Sequence, residues 1–122
     1  MQTRSQGYAK AAYAKVVAVK DSSVAKKYGA LALNFPVMVL QSGLAQATGF
    51  VLAKKKDEHL RYLDEIADVL GEKDGAAFHS KIISSDLSDY QHLTRRTLEA
   101  AGWFKRYAQG LLGAQTTDGE NE

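Results

Sequence analysis

One stretch of the sequence, residues 35–56, constrains the fold more than any other. No charged residue occurs from Phe35 to Ala53, and the apolar side chains of this run cover nearly the whole circumference of a helical wheel. Such a helix is normally buried on most sides. Pro36 suits the first turn of a helix, where its missing N–H has no partner to lose. We therefore predict a central apolar helix over residues 36–54, with the remaining helices packed around it.

A run of this length also raises the possibility of a membrane span, for which about 20 apolar residues suffice. Several polar residues interrupt the run, namely Gln41, Ser42, Gln46 and Thr48. The flanking segments have the pattern of amphipathic helices of soluble proteins. We therefore favour burial within protein and expect no membrane partner.

The rest of the chain shows apolar residues at helical spacing and almost no strand signal. We predict an all-α single compact helical bundle of about six helices, forming one domain over residues 1–113. Asn34 is expected to mark the turn before the central helix, and Gly71 to end the helix after it. Arg61 is expected to pair with Glu65 one turn later. The predicted flanking helices cover residues 3–20, 24–33, 57–70, 76–83 and 88–112, and residues 114–122 are expected to form a disordered acidic tail.

Helix starts are predicted from capping residues. Asp21, Ser22 and Ser23 are good N-caps for the second helix. Ser88 and Gln91 form a possible capping box for the last one.

Charge is distributed unevenly although the net charge is only +2. Residues 1–56 carry a net charge of +8, residues 57–90 carry −6, and residues 91–113 carry +3. Segregated charge predicts a basic face and an acidic face, and a basic face favours polyanions. The alternative, that the lysines only keep a small protein soluble, stays open on charge alone.

The sequence offers little for catalysis. Its three histidines, His59, His79 and His92, fall on different predicted helices and have none of the spacings typical of metal sites. No cysteine is present, so we expect neither disulfides nor thiolate metal sites, and a cytoplasmic location fits. We predict a non-catalytic protein without a cofactor or metal.

Two aromatic residues of the last predicted helix, Trp103 and Tyr107, lie in one line with Arg96 on the helix surface. This line could stack on bases or on a partner. Packing against a neighbouring helix is the more common role for such residues.

Three blocks of residues carry a resemblance to a known family. The first contains Lys27-Tyr28-Gly29 and Phe35-Pro36. The second contains Ser42-Gly43-Leu44, Phe50-Val51-Leu52 and the lysines that follow. The third contains Tyr90, Leu93-Thr94, Leu98 and Trp103-Phe104-Lys105-Arg106-Tyr107-Ala108. In order and spacing, from about Tyr8 to Leu112, the chain resembles the small subunit of the type III-B (Cmr) CRISPR RNA-guided effector complex.

The chain departs from the usual family pattern at four positions. Phe35, Phe104 and Tyr107 are conservative exchanges for Leu, Leu and Phe. Ser42 stands where the family has Asn, which puts in doubt any contact made by that amide.

The resemblance implies a helical bundle that stacks in several copies beside a backbone filament holding the guide RNA. It also implies that basic residues contact phosphates of the target strand, and that nuclease activity belongs to other subunits. Implied partners are the backbone and large subunits, further copies of this chain, guide RNA and target RNA, in antiviral defence. A stand-alone helical adaptor that binds a protein is the alternative, and a small enzyme with an unrecognised site is a third possibility.

Nine cations are the predicted RNA-binding residues. The family motifs cover Lys27, the three lysines after Ala53, and the pair in the last helix. The other three rest on charge alone. In the order of our expectation they are Lys54, Lys55, Lys56, Lys105, Arg106, Lys26, Lys27, Arg4 and Lys10.

Overall fold

A computed structural model describes residues 2–115 of the chain. These residues form six α-helices and no strand: α1 (Arg4–Val19), α2 (Ala25–Ser42), α3 (Leu44–Lys54), α4 (Asp57–Val69), α5 (Gly75–Ser84) and α6 (Leu87–Leu111). The predicted all-α fold of about six helices is therefore confirmed. The proposed acidic tail lies outside the described residues from position 116 onward, and the proposed domain boundary stays a prediction.

The largest correction concerns the central helix, which is not one element over residues 36–54. The chain is helical from Ala25 to Ser42, so that Asn34 and Pro36 lie inside α2 rather than at a turn and a helix start. Proline inside a helix removes one backbone hydrogen bond and costs about 3 kcal/mol. Tertiary packing overrides this cost, because Ala32 and Phe35 beside the proline are completely buried.

The chain breaks between two helices at Gly43, and not at Asn34 as the sequence predicted. Its backbone has φ 89° and ψ 159°, a combination that is open essentially to glycine alone. The hydroxyl oxygen of Tyr90 on α6 then accepts a hydrogen bond at 3.0 Å from the N–H of Ala45, in the first turn of α3. The break therefore leaves α2 and α3 as separate helices, with α3 capped from another part of the fold.

The ends of several other helices differ from their sequence-based assignments in detail. The N-cap of α2 is Val24, which makes no side-chain capping bond, so the expected caps at residues 21–23 are wrong. Asp86 caps α6 by accepting from the N–H of Asp89, in place of the expected box of Ser88 and Gln91.

The end of α4 agrees with the prediction. Gly71 has φ 84°, its N–H donates to the carbonyl of Asp68, and the next N–H, of Glu72, donates to the carbonyl of Ala67. This is the hydrogen-bond pattern of a Schellman motif. The expected pair of Arg61 with Glu65 is also present at 3.0 Å.

Aromatic rings from three helices meet in the core. The ring of Tyr62 on α4 makes edge-to-face contacts with Tyr28, Phe35 and Phe104, with centroids 5.3 to 5.6 Å apart. Such pairs add about 0.5–1.5 kcal/mol each beyond their buried area. Helix α6 packs along both α1 and α2. Tyr62 thus joins α2, α4 and α6 at the centre of the bundle.

Two buried tyrosine hydroxyls differ in their surroundings. Burial raises the pKa of Tyr28 far above its usual value, and the neighbouring carboxylate of Glu65 raises it further. Burial alone raises the pKa of Tyr62. Both groups are neutral at physiological pH.

Within residues 2–115, no helix combines the length and the hydrophobicity that a membrane span requires.

Candidate nucleic-acid interface

The junction between α3 and α4 presents the three consecutive lysines. Lys54 is the last residue of α3, Lys55 is its C-cap, and Lys56 is the N-cap of α4. Lys55 has a left-handed backbone with φ 56°, and it is the one described non-glycine residue with positive φ. This conformation turns the chain sharply, so that two of the three lysines line a common cleft.

That cleft, which we call the lysine groove, has a volume of about 330 Å³. Lys54 and Lys56 line it from the junction, while α2 supplies much of the remaining wall. Its lining residues are Leu31, Asn34, Val37, Met38, Gln41, Phe50, Lys54, Lys56 and His59. None of these nine carries a carboxylate, so the groove is cationic with an apolar floor.

Lys27 belongs to the same stripe of α2 as the groove wall. Residues 27, 31, 34, 38 and 41 follow one another at intervals of four and three, which places them on one face of a helix. Lys27 is exposed and continues the wall by one turn beyond Leu31. Lys26 is also exposed but is rotated away by about 100° around the helix.

The remaining predicted cations lie elsewhere. Arg106 on α6 stacks over the ring of Trp103 at 4.9 Å, and Arg4 forms an ion pair of 3.2 Å with Glu99. Trp103, Glu99 and Arg106 line a second cleft between α1 and α6, which shares no lining residue with the lysine groove. The structure therefore brings Lys54 and Lys56 into one cleft, with Lys27 on the helix face that forms its wall, and does not bring Arg106 or Arg4 into the same cleft.

Ion pairing further separates the nine cations. Within residues 2–115, Arg4 is the one member of the set that has a carboxylate partner. Lys10, Lys55 and Arg106 are exposed, and Lys105 is partly buried on α6. An unpaired surface lysine keeps its full charge for an external anion.

The charge separation expected from the sequence is not complete. Lys15 of the basic segment reaches Asp68 of the acidic segment at 2.7 Å. This pair joins α1 to α4, so part of the basic charge is neutralised within the fold.

The aromatic line of α6 packs mainly within the protein. Trp103 donates a hydrogen bond to the hydroxyl of Ser5 at 3.2 Å and stacks on Tyr107 with centroids 5.8 Å apart. Tyr107 in turn contacts the edge of Tyr13 on α1. Trp103 thus packs against α1 and Tyr107, while part of its surface lines the second cleft.

The three histidines lie on separate helices, as the sequence predicts. Nδ1 of His59 lies 2.7 Å from a carboxylate oxygen of Glu58, and Nδ1 of His79 lies 2.6 Å from the hydroxyl of Thr48. Nδ1 of His92 lies 2.9 Å from the Arg95 guanidinium. In the described part of the chain, no three His, Cys, Asp or Glu side chains are grouped so that they could hold a metal ion.

Sequence reasoning missed seven of the nine groove residues, and four of these seven are polar or aromatic: Asn34, Gln41, Phe50 and His59. Asn34 and Gln41 would have been found by extending the stripe of Lys27 through a continuous α2. The interpretation of Pro36 as a helix start prevented this. Phe50 and His59 join the groove only through the packing of α3 and α4 against α2, for which the sequence carries no local signal.

The fold and the groove define a small all-α protein with a cationic groove on its surface. Comparison with known proteins identifies the family within this class. The family described as CRISPR-associated protein (Cas_Cmr5) matches residues 4–111. The chain belongs to this family.

Two findings from Thermus thermophilus agree with the family assignment. The protein named CRISPR system Cmr subunit Cmr5 is 40% identical over 112 residues, which cover 92% of this chain and 98% of the relative. The crystal structure of a CRISPR-associated Cmr5 family protein from the same organism superposes with a TM-score of 0.90 at 40% identity, covering 92% and 99% of the two chains.

Proposed function

We propose that this chain is the non-catalytic small subunit of a type III-B CRISPR ribonucleoprotein effector complex. In this role it stacks in several copies and contacts the phosphate backbone of the target RNA paired with the guide. Its partners are the other Cmr subunits, further copies of itself, guide RNA and target RNA. Membership of the Cmr5 family supports the assignment to such a complex.

The lysine groove is the observation that carries the proposal of RNA contact. Lys54 and Lys56 line the cleft, and Lys27, from a separate part of the sequence, lies on the helix face that continues its wall. Lysines contact phosphates as point charges without reading bases, which provides affinity that is independent of sequence. Repetition of such a surface in stacked copies multiplies a weak individual contact.

The test is target RNA binding by the assembled complex with the small subunit changed at one lysine at a time. Lys54→Ala or Lys56→Ala should weaken binding about equally for unrelated target sequences. Each should also reduce the slope of log K against log salt by about one unit. Lys73→Ala is the matched control, because Lys73 is exposed and has no ion-pair partner in the described residues but lies in the acidic segment. Unchanged RNA affinity in both groove variants, with normal assembly, would contradict the proposal.

Exposed apolar side chains favour the alternative of a protein-binding adaptor. Leu40 on α2 is 73% exposed, and Val37 and Phe50 are also exposed. An adaptor predicts that neutralising the lysines leaves the affinity for the assembled guide–target duplex unchanged, whereas Leu40→Ala reduces capture of a partner protein. The RNA affinity of complexes that carry the lysine variants therefore distinguishes the two functions.

A further inference from the structure

The lysine groove contains polar atoms that have no hydrogen-bond partner among the described residues. No hydrogen bond within residues 2–115 engages the side-chain amide of Asn34, the side-chain amide of Gln41, or Nε2 of His59. A side-chain amide offers two donors and a carbonyl acceptor. The groove therefore holds both kinds of hydrogen-bonding group beside its lysines.

His59 is the most informative of these residues because only 4% of it is exposed. Its Nδ1 lies 2.7 Å from a carboxylate oxygen of Glu58, which is itself 4% exposed. A carboxylate accepts hydrogen bonds, so Nδ1 of His59 donates to Glu58, and Nε2 on the other side of the ring is not engaged by this contact. Nε2 has no hydrogen-bond partner within residues 2–115, so a group bound in the groove can form a hydrogen bond with it.

Phe50 supplies an aromatic surface at the same groove. Its side chain is 47% exposed, and the ammonium group of Lys54 lies 5.1 Å from the centre of its ring. Exposed aromatic rings next to cations are the common platform on which bases of single-stranded nucleic acids stack. Leu31 and Met38 extend the apolar lining.

We propose that the lysine groove binds one unpaired nucleotide of the bound RNA. The base stacks on Phe50, and its edge meets the amides of Asn34 and Gln41. The phosphate lies at Lys54 and Lys56, and Nε2 of His59 forms a hydrogen bond with the base or the ribose.

The volume and the charge of the groove fit this ligand. A cleft of about 330 Å³ falls at the low end of the roughly 300–1,000 Å³ that is usual for small-molecule sites. The nearest acidic residues in sequence are Asp57 and Glu58, in the first turn of α4. The helix dipole and, for Glu58, the contact with His59 partly offset their charge. The proposal rests on the function proposed above, since it assigns a base to a site for which that function requires only phosphate.

The experiment follows amide and side-chain resonances of the isotope-labelled full chain by NMR. The chain is titrated separately with cytidine 5′-monophosphate, ribose 5-phosphate and inorganic phosphate. We expect saturable shifts at Phe50, His59 and Asn34 with the nucleotide, and shifts confined to the lysines with inorganic phosphate. Phe50→Ala should weaken nucleotide binding roughly fivefold or more and leave phosphate binding unchanged. Leu40→Ala, an exposed residue of α2 outside the groove lining, is the control and should change neither.

Three outcomes would overturn the proposal. Equal affinity and equal shifts for the nucleotide and ribose 5-phosphate would show a phosphate site without a base site, and backbone contact would survive. Nucleotide shifts outside the groove would reject the site. Reduced incorporation of the Phe50→Ala subunit into the complex, with unchanged RNA affinity once it is incorporated, would show that a sibling protein occupies the groove. Backbone contact itself fails only if the lysine variants retain full RNA affinity, so the two failures are distinguishable.

Discussion

The hydroxyl of Tyr28 donates a hydrogen bond of 2.6 Å to the carboxylate of Glu65, linking the first half of α2 to α4. The equally buried hydroxyl of Tyr62, whose ring contacts that of Tyr28, has no partner in the described part of the chain. A hydrogen bond to a charged group contributes about 1.5–3 kcal/mol, whereas an unsatisfied buried hydroxyl costs about 1–3 kcal/mol. Two chemically identical side chains in one cluster therefore affect stability in opposite ways.

Replacing each tyrosine by phenylalanine tests this difference. We expect Tyr28→Phe to lower the free energy of unfolding by about 1.5–3 kcal/mol because it removes the bond to Glu65. Tyr62→Phe should leave stability unchanged or raise it by about 1 kcal/mol, since the ring contacts stay and the unpaired hydroxyl is lost. Urea denaturation of both variants measures the effect, and a loss of stability in Tyr62→Phe equal to that in Tyr28→Phe would contradict the assignment.

The same two tyrosines predict a loss of stability at alkaline pH. Burial raises the pKa of both groups in the folded state, with Glu65 adding to the effect at Tyr28. The unfolded chain therefore releases these protons first, near pH 10, so stability is fully present below that pH and declines above it. The expected slope is about 1.4 kcal/mol per pH unit for each tyrosine. Denaturation between pH 8 and pH 11 in about half-unit steps measures this slope. Tyr62→Phe should reduce it by the contribution of one tyrosine. A slope that is the same in the variant and the parent would argue against this origin.

Gly43 and Gly71 both have positive φ but differ in their surroundings. Gly43 has φ 89°, and a Cβ built there would lie 3.3 Å from the hydroxyl of Tyr90, whereas a Cβ at Gly71 would meet nothing within 4 Å. We expect Gly71→Ala to cost about 1–2 kcal/mol from its backbone alone, and Gly43→Ala to cost more. Thermal unfolding of the two variants provides the comparison. A cost at Gly43 no greater than that at Gly71 would show that the α2–α3 break tolerates a side chain.

Two substitutions of Lys55 distinguish the effect of its charge from the effect of its backbone conformation. Its φ of 56° is one that glycine adopts without strain. We expect Lys55→Gly to raise stability by up to about 1 kcal/mol while it removes the charge, and Lys55→Ala to provide no such gain. If Lys55 contacts phosphate, both variants should reduce the affinity of the assembled complex for target RNA equally. Unequal losses of affinity would indicate that the turn, and not the charge, matters for binding.

The register of α2 predicts different effects for two adjacent lysines. Lys27 continues the stripe that walls the lysine groove, while Lys26 points about 100° away from it around the helix. We expect Lys27→Ala to reduce target RNA affinity of the complex and to flatten its salt dependence by about one unit, with a smaller effect for Lys26→Ala. Arg4→Ala should also have the smaller effect, because Glu99 already pairs with that guanidinium. Equal losses for Lys26 and Lys27 would reject a role for the groove wall.

Helix formation and the family resemblance were available from the sequence, because both depend on local pattern. The spacing of apolar residues predicted α1 and α4 to α6 to within about two residues at each end, which is the usual scatter of helix boundaries. The charge-free run after Phe35 correctly indicated helix, but the expected burial on nearly all sides is wrong, because Val37, Leu40 and Phe50 are exposed. The lysine cluster was already the leading candidate for phosphate contact. These features depend on residues that are close in sequence, because the spacing of their side chains determines the helical pattern.

Tertiary structure alone decided where that run breaks and which cations meet. Pro36 has a strong local preference for a helix start, yet the burial of Ala32 and Phe35 holds it inside α2, and the backbone of Gly43 makes the break. This shift of seven residues gives α2 the continuous face on which Lys27, Asn34 and Gln41 share a stripe. Packing of α3 and α4 against that face then brings in Phe50 and His59. Contacts between residues distant in sequence outweigh a local propensity of a few kcal/mol, so a single chain segment determines the presence of a helix but not its partners.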